Sequence, residues 1–142
     1  MPKQPDKRIV DFLKDHHVLT LATSVENQSY CANCFYEYLE DDNAFVFSSD
    51  EDTRHIANVR QNNRVSASVV LETKTIGKIQ GVQIVGEMIT PEKEQLKKVN
   101  KAYLKRFPYA ILKNTQLWVL NISYLKMTDN RLGFGKKIIW EK

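Results

Sequence analysis

Between Val18 and Ser49 the chain holds three apolar, alternating runs separated by polar turns of only three and four residues, Glu26-Asn27-Gln28 and Glu40-Asp41-Asp42-Asn43. Turns this short cannot carry a parallel crossover, which needs a dozen or more residues, so neighbouring runs must pair antiparallel. The runs are Val18–Val25, residues 29–38 and Ala44–Ser49, and they make a meander. Downstream the period changes twice. Asp50–Asn63 carries Ile56, Val59 and Ala57 as a helical stripe, with Asp50 or Asp52 as N-cap. Arg64–Glu72 alternates again through Val65, Ala67 and Val69, and Ile79–Thr90 alternates through Val82, Ile84 and Gly86. Thr90-Pro91 opens a basic helix that runs to Phe107 and stops at Pro108, with Leu96, Val99, Tyr103 and Phe107 facing inward. Gln116–Met127 reads as a long strand, and the tail Leu132–Trp140 as irregular and then extended. Residues 6–16 read as a short amphipathic helix capped by Asp6, with Ile9, Phe12 and Leu13 on one face.

Six main strands with short helices between them predict a mainly β protein: a six-stranded antiparallel, Greek-key-type β-barrel with helical insertions, in one domain spanning 1–142. At 142 residues, with a hydrophobic fraction of 42%, the chain can bury a core without disulfides or metals. Apolar runs such as Val18–Ala22 are too short to span a bilayer. Met1–Asp6 lacks an apolar signal core, so a cytoplasmic protein is expected. The net charge of +4 suits anionic partners, from phosphorylated cofactors to nucleic acid, without choosing among them.

Cys31 and Cys34 form a C-x-x-C inside a strand. Positions i and i+3 of a strand face opposite sides, so the pair reads as two separate reduced cysteines. No second pair of ligands is spaced to complete a zinc site. His16 and His17 close a helix, where a cation suits the dipole.

Chemistry concentrates in Ser48-Ser49-Asp50-Glu51-Asp52-Thr53-Arg54-His55. A strand ends in two hydroxyls, and a helix begins with a hydroxyl, an arginine and a histidine. A helix N-terminus presents free N–H groups and the positive end of a dipole, so this arrangement would cradle a phosphate monoester. An ordinary capped helix with a surface arginine would have the same spacing. Trp118 and Trp140 read as core or interface packing rather than ring stackers. Gly133 and Gly135 suggest a turn with positive φ or a close backbone approach.

Taken together, Leu21-Ala22-Thr23, the strand 29–38, Phe47-Ser48-Ser49 with Thr53-Arg54-His55, and Asn62-Asn63-Arg64-Val65 resemble the pyridoxamine 5′-phosphate oxidase-like FMN-binding split barrels. Gly81–Glu87 resembles a strand that runs beside the flavin there, and Thr128–Trp140 resembles the ending of a subgroup of small, uncharacterised bacterial proteins of that superfamily. The resemblance implies FMN as cofactor, a symmetric homodimer sharing two sites, and a flavin-dependent oxidoreductase acting on an unknown small molecule. It implies Ser48, Ser49, Thr53 and Arg54 as phosphate and ribityl ligands, with His55 standing where the oxidases have a lysine and Ala32 where they have an arginine. Lys136 or Lys137 is the candidate compensating cation, and Gln83 the candidate partner for the flavin ring. Glu37 falls near an oxidase lysine. The oxidases' C-terminal arginine–histidine motif is missing, so pyridoxamine phosphate oxidation is not expected.

Two rival classes remain. One is a non-enzymatic binder of flavin, deazaflavin or haem, which would hold its ligand without turnover. The other is a nucleic-acid-binding barrel, suggested by the basic helix and by Tyr30, Phe35, Tyr36 and Tyr38. Alternation puts those aromatics on both faces of their strand, which disfavours a stacking platform. No membrane partner is expected.

Overall fold

The computed structural model describes residues 4–112 and 116–142, so the first three residues of the N-terminal reading lie outside it. The elements run α1 (Lys7–Asp15), β1 (Val18–Val25), β2 (Gln28–Leu39), β3 (Ala44–Ser49), α2 (Arg54–Gln61), β4 (Arg64–Val70), β5 (Gln80–Ile89), α3 (Lys93–Arg106), β6 (Gln116–Asp129) and β7 (Lys137–Glu141). The strands form one sheet in the order β3-β2-β1-β4-β5-β6-β7, and an additional β3–β6 pairing closes six of them into a ring. Every pairing is antiparallel. This is the mainly β barrel expected from the alternation.

Local chemistry sets the turns. Glu26 and Asn27 both take positive φ, 51° and 66°, and Val25 pairs with Gln28, which is the backbone twist a two-residue hairpin needs. Each strand then sends alternate residues inward. Leu19, Leu21, Tyr36, Phe45, Phe47, Val82, Ile84, Leu120 and Leu125 are all almost completely buried in a single core. One glycine is structurally required. At Gly86, beside the β5–β6 bulge, an added Cβ would lie 2.1 Å from the carbonyl oxygen of Asn121.

Strand β6 organises the split. Its first half pairs with β3 through Gln116–Asn121, and its second half outruns β3 and pairs with β7 through Tyr124–Thr128. The tail therefore ends in a seventh strand, where the sequence pattern suggested only extended chain. Gly133 and Gly135, at φ 131° and 72°, make the loop before it.

Two helices cover opposite ends of the ring. Helix α1 buries Ile9, Val10, Phe12 and Leu13 at one end, where the Tyr36 hydroxyl donates to the Leu13 carbonyl at 2.7 Å, and Asp6 caps it by accepting from the Arg8 amide at 2.9 Å. Helix α2 buries Ile56 and Val59 at the other end, leaving Ala57 exposed. Its N-cap is Thr53 rather than either aspartate. Helix α3 starts after Glu92, two residues later than the Thr90-Pro91 signal suggests, and buries Val99 and Tyr103. Leu96 of that helix stays 43% exposed, because the buried stripe spans only one narrow face. No helix among the described residues is long and apolar enough to cross a membrane.

Candidate functional site

The end of the barrel under α2 gathers the strand ends that carry polar side chains. Asn58 donates to the Thr23 hydroxyl at 3.0 Å, and Asn62 donates to the Ser24 carbonyl at 3.1 Å. These two bonds fix α2 against β1 and so aim its first turn at β2 and β3. Four of the residues singled out in the sequence meet there. Ser49, buried and inward at the end of β3, has its Oγ 2.8 Å from Nε2 of His55. The Arg54 guanidinium lies over the Tyr30 ring, 4.5 Å from its centroid. Thr53 does not cap α2 with its side chain; its hydroxyl donates instead to the Asp50 carbonyl at 2.8 Å. The first N–H groups of a helix have no intrahelical acceptor, so α2 adds amide donors to the hydroxyls, the imidazole and the guanidinium.

Alternation along β2 supplies the floor. Tyr30, Ala32 and Cys34 share one face, and the Cys34 Sγ lies 4.0 Å from Ser49 Oγ. Tyr30 and Cys34 are site neighbours that the motif alone did not reveal; their two-residue spacing from Ala32 was the available signal. Burial pushes the Cys34 thiol up to about 11 and pulls His55 below its ordinary value. At neutral pH the imidazole is therefore uncharged, and Arg54 is the permanent cation of the cluster. Ser48 points to the other face of β3, toward α3, where Tyr103 lies against its main chain.

The remaining candidates lie elsewhere on the chain. Gln83 is exposed on the outer face of β5, in a row that crosses six strands as Asn33, Thr20, Ser68, Gln83, Lys126 and Ile139. Lys137 pairs with Thr128 at the far end of β6, whereas Ser49 pairs with Gln116 at its near end. The twelve residue steps between those two positions amount to roughly 40 Å of strand, so neither Lys136 nor Lys137 reaches Ser49 within one chain. Glu37 is engaged by Arg106 at 3.3 Å. Cys31 is exposed, Cys34 is buried, both are free, and no metal-binding cluster occurs among the described residues. Trp118 and Trp140 are both buried.

A closed six-stranded antiparallel ring, with a hydroxyl-rich strand end meeting an arginine-bearing helix start, defines a split barrel. Residues 5–129 match the family model of pyridoxamine 5′-phosphate oxidase, and the chain belongs to that family. It is 41% identical over 131 residues to the UPF0306 protein plu4501 of Photorhabdus laumondii, covering 92% of each chain. Among solved structures it is similar to a haem-binding protein from Mycobacterium smegmatis, with a TM-score of 0.79 and 19% identity over 99% of this chain and 60% of that one. It is also similar to a FAD-binding protein from Mesorhizobium loti, with a TM-score of 0.71 and 18% identity over 85% of this chain and 91% of that one.

Proposed function

We propose that the protein binds FMN at the α2 end of the barrel and works as a homodimeric flavin-dependent oxidoreductase on a small molecule other than pyridoxamine phosphate. The observation that carries this reading is the convergence of Ser49, Thr53, Arg54 and His55 at the start of α2, in a chain of this family. The donor set fits a phosphate monoester: two hydroxyls, an imidazole, a guanidinium and helix-terminal amides. FMN would supply hydride and electron transfer when bound. The chain's own residues anchor the phosphate through Arg54 and Ser49, hold the helix end in place through Asn58 and Asn62, and line the floor with Ala32 and Cys34.

The placement of the other candidates supports a second copy. The outer face of the sheet exposes Val18, Phe35, Val85 and Ile139 at 44%, 59%, 46% and 56%, around small side chains at Ala22, Cys31 and Ser66. A face that mixes exposed apolar side chains with small and polar ones suits an isologous contact. Gln83 lies on it, and Lys136 and Lys137 lie at its far end, so a two-fold partner is the means of bringing them to a ring and phosphate held by Ser49 and Arg54.

Visible absorption after incubation with FMN and desalting tests the reading. About one flavin retained per chain supports it, and a colourless protein overturns it. The Mycobacterium smegmatis protein is described as haem-binding, so a parallel haem titration separates that class: a Soret band without flavin retention moves the assignment to a haem binder. A flavin that binds but accepts electrons from no reductant leaves a carrier rather than an enzyme.

A further inference from the structure

Most of the molecule's other features are already accounted for by packing. Asp129 is buried but held by bidentate bonds from Arg131 at 3.0 and 2.8 Å. Arg106 ties α3 to α1 and β2. The lysines of α3 make a solvated face, partly paired, as in Lys98 with Asp42 at 2.8 Å. The feature left over is the histidine at the phosphate site.

We propose that His55 sets this protein's preference for FMN over riboflavin, and does so only when protonated: it is a neutral partner of Ser49 in the free site and a second cation beside Arg54 once a phosphate is bound. This rests on the flavin reading above. The geometry supplies the mechanism. Ser49 Oγ and His55 Nε2 are 2.8 Å apart. In the neutral ring Nε2 either accepts the hydroxyl proton or donates its own. Once both ring nitrogens carry protons, Nε2 can only donate, and the Ser49 hydroxyl must turn its proton away from the ring. One proton taken from solvent therefore adds a positive charge and frees a hydroxyl donor for the phosphate oxygens. No other bond forms or breaks.

The groups around the ring leave this proton as the variable one. On β2 the Cys34 thiol stays protonated, since burial pushes it up to about 11. On β3 the neighbour is Ser49, and opposite it on β6 is Gln116. On α2 itself Arg54 is permanently charged and lies on Tyr30. In the preceding turn Glu51 is paired with Arg60, and Asp50 and Asp52 complete the acidic stretch. Burial alone pulls His55 below the ordinary 6.5. The sign follows from linkage. His55's contribution to phosphate affinity is full below its free-site pKa, and it is lost as pH rises through the higher value the ring has beside a bound phosphate.

The test measures dissociation constants of FMN and of riboflavin by flavin fluorescence between about pH 5.5 and 8.5, for the wild type, His55→Lys and His55→Gln. The second ionisation of the ligand's own phosphate, near 6, is common to all three proteins and cancels in their comparison. Relative to His55→Lys, the wild-type preference for FMN is expected to fall with rising pH by up to about tenfold per unit, while riboflavin affinity stays level. His55→Gln is expected to keep a low preference throughout. Wild-type and His55→Gln profiles that coincide overturn the proposal. Failure of riboflavin and FMN alike overturns the flavin reading beneath it, which is a separate result. Should the variants not fold, calorimetry of the wild type in buffers of different ionisation enthalpy decides: proton uptake with FMN but not with riboflavin is expected, and equal uptake overturns the proposal.

Discussion

The Arg54 guanidinium lies over the ring of Tyr30, its Cζ 4.5 Å from the centroid, and among the described residues it forms no ion pair. A guanidinium held over an aromatic ring, with no carboxylate paired to it, has N–H donors left for a phosphate. Replacing Arg54 with Ala is expected to weaken FMN binding by about tenfold to a hundredfold, the worth of a charge-assisted hydrogen bond, with riboflavin affinity little changed. Tyr30→Leu should weaken FMN less, because it releases the arginine without removing it. Fluorescence titration with both flavins measures this, and an unchanged FMN affinity in Arg54→Ala removes the residue from the site.

Gly86 tests the bulge. Its missing Cβ is what lets β6 approach, since an added methyl would lie 2.1 Å from a backbone oxygen of Asn121 and 2.9 Å from a Leu120 methyl. A backbone atom inside a ladder cannot move aside as a flexible side chain would. Gly86→Ala is expected to cost about 3 kcal/mol or more, the range of severe overpacking, measured as a lowered urea midpoint. A variant as stable as the wild type would mean that the bulge relaxes freely.

Alternation and short turns made the barrel legible because each strand needs only its own two-residue period to declare a buried face, as Val65, Ala67 and Val69 do. The cluster around Arg54 was legible for the same reason: Ser49, Thr53 and His55 are joined by one strand-to-helix turn, so their proximity is local. Gln83, Lys136 and Lys137 depend on sheet register, which no local pattern encodes, and they lie far from Ser49 within the chain. Strand β7 depends on β6 outrunning β3, a fact of closure rather than of composition. The start of α3 shifted past Thr90-Pro91 to Glu92 because a plausible cap competes with packing, and Val99 and Tyr103 set the phase of that helix.

Arg106 fixes α3 to the barrel. It bonds Glu37 at 3.3 Å, donates to the carbonyls of Lys14 at 2.9 Å and His16, and is only 12% exposed in its side chain, against 23% for Glu37. Arg106→Met leaves a half-buried carboxylate and two carbonyls without their donor and is expected to cost about 3 kcal/mol. Combining it with Glu37→Leu should recover much of that loss, because no uncompensated charge remains. Denaturant melts of the single and double variants measure the coupling. Flavin retention is expected to persist in the folded variants, since Glu37 is engaged by Arg106.

The two cysteines should be told apart by chemistry. Cys31 is exposed on the outer face, while Cys34 is 6% exposed beside Ser49, with a thiol pushed up to about 11. The thiolate is the reactive form. One thiol per chain is expected to react with a disulfide reagent near pH 8 without denaturant, slowly because Cys31 lies on the face proposed for the two-fold contact, and two in denaturant. Peptide mapping should place the native adduct on Cys31, and rapid labelling of Cys34 would contradict the packing around Ser49.

The separation of the candidate residues makes a test that a single-chain site could not pass. If Ser49 and Arg54 of one chain act with Lys136 and Lys137 of its partner, then Arg54→Ala and a Lys136→Ala, Lys137→Ala double variant are each defective at both sites of their own dimers. Exchanging the two by partial unfolding and refolding produces mixed dimers in which one site carries both defects and the other carries neither. Random exchange makes half of the dimers mixed, so about a quarter of all sites should regain wild-type FMN affinity. Equilibrium titration with flavin fluorescence reads that recovered fraction directly. Its absence, in a mixture that native mass spectrometry shows to contain mixed dimers, would confine the phosphate site to one chain and leave the two lysines to the solvated end of β7.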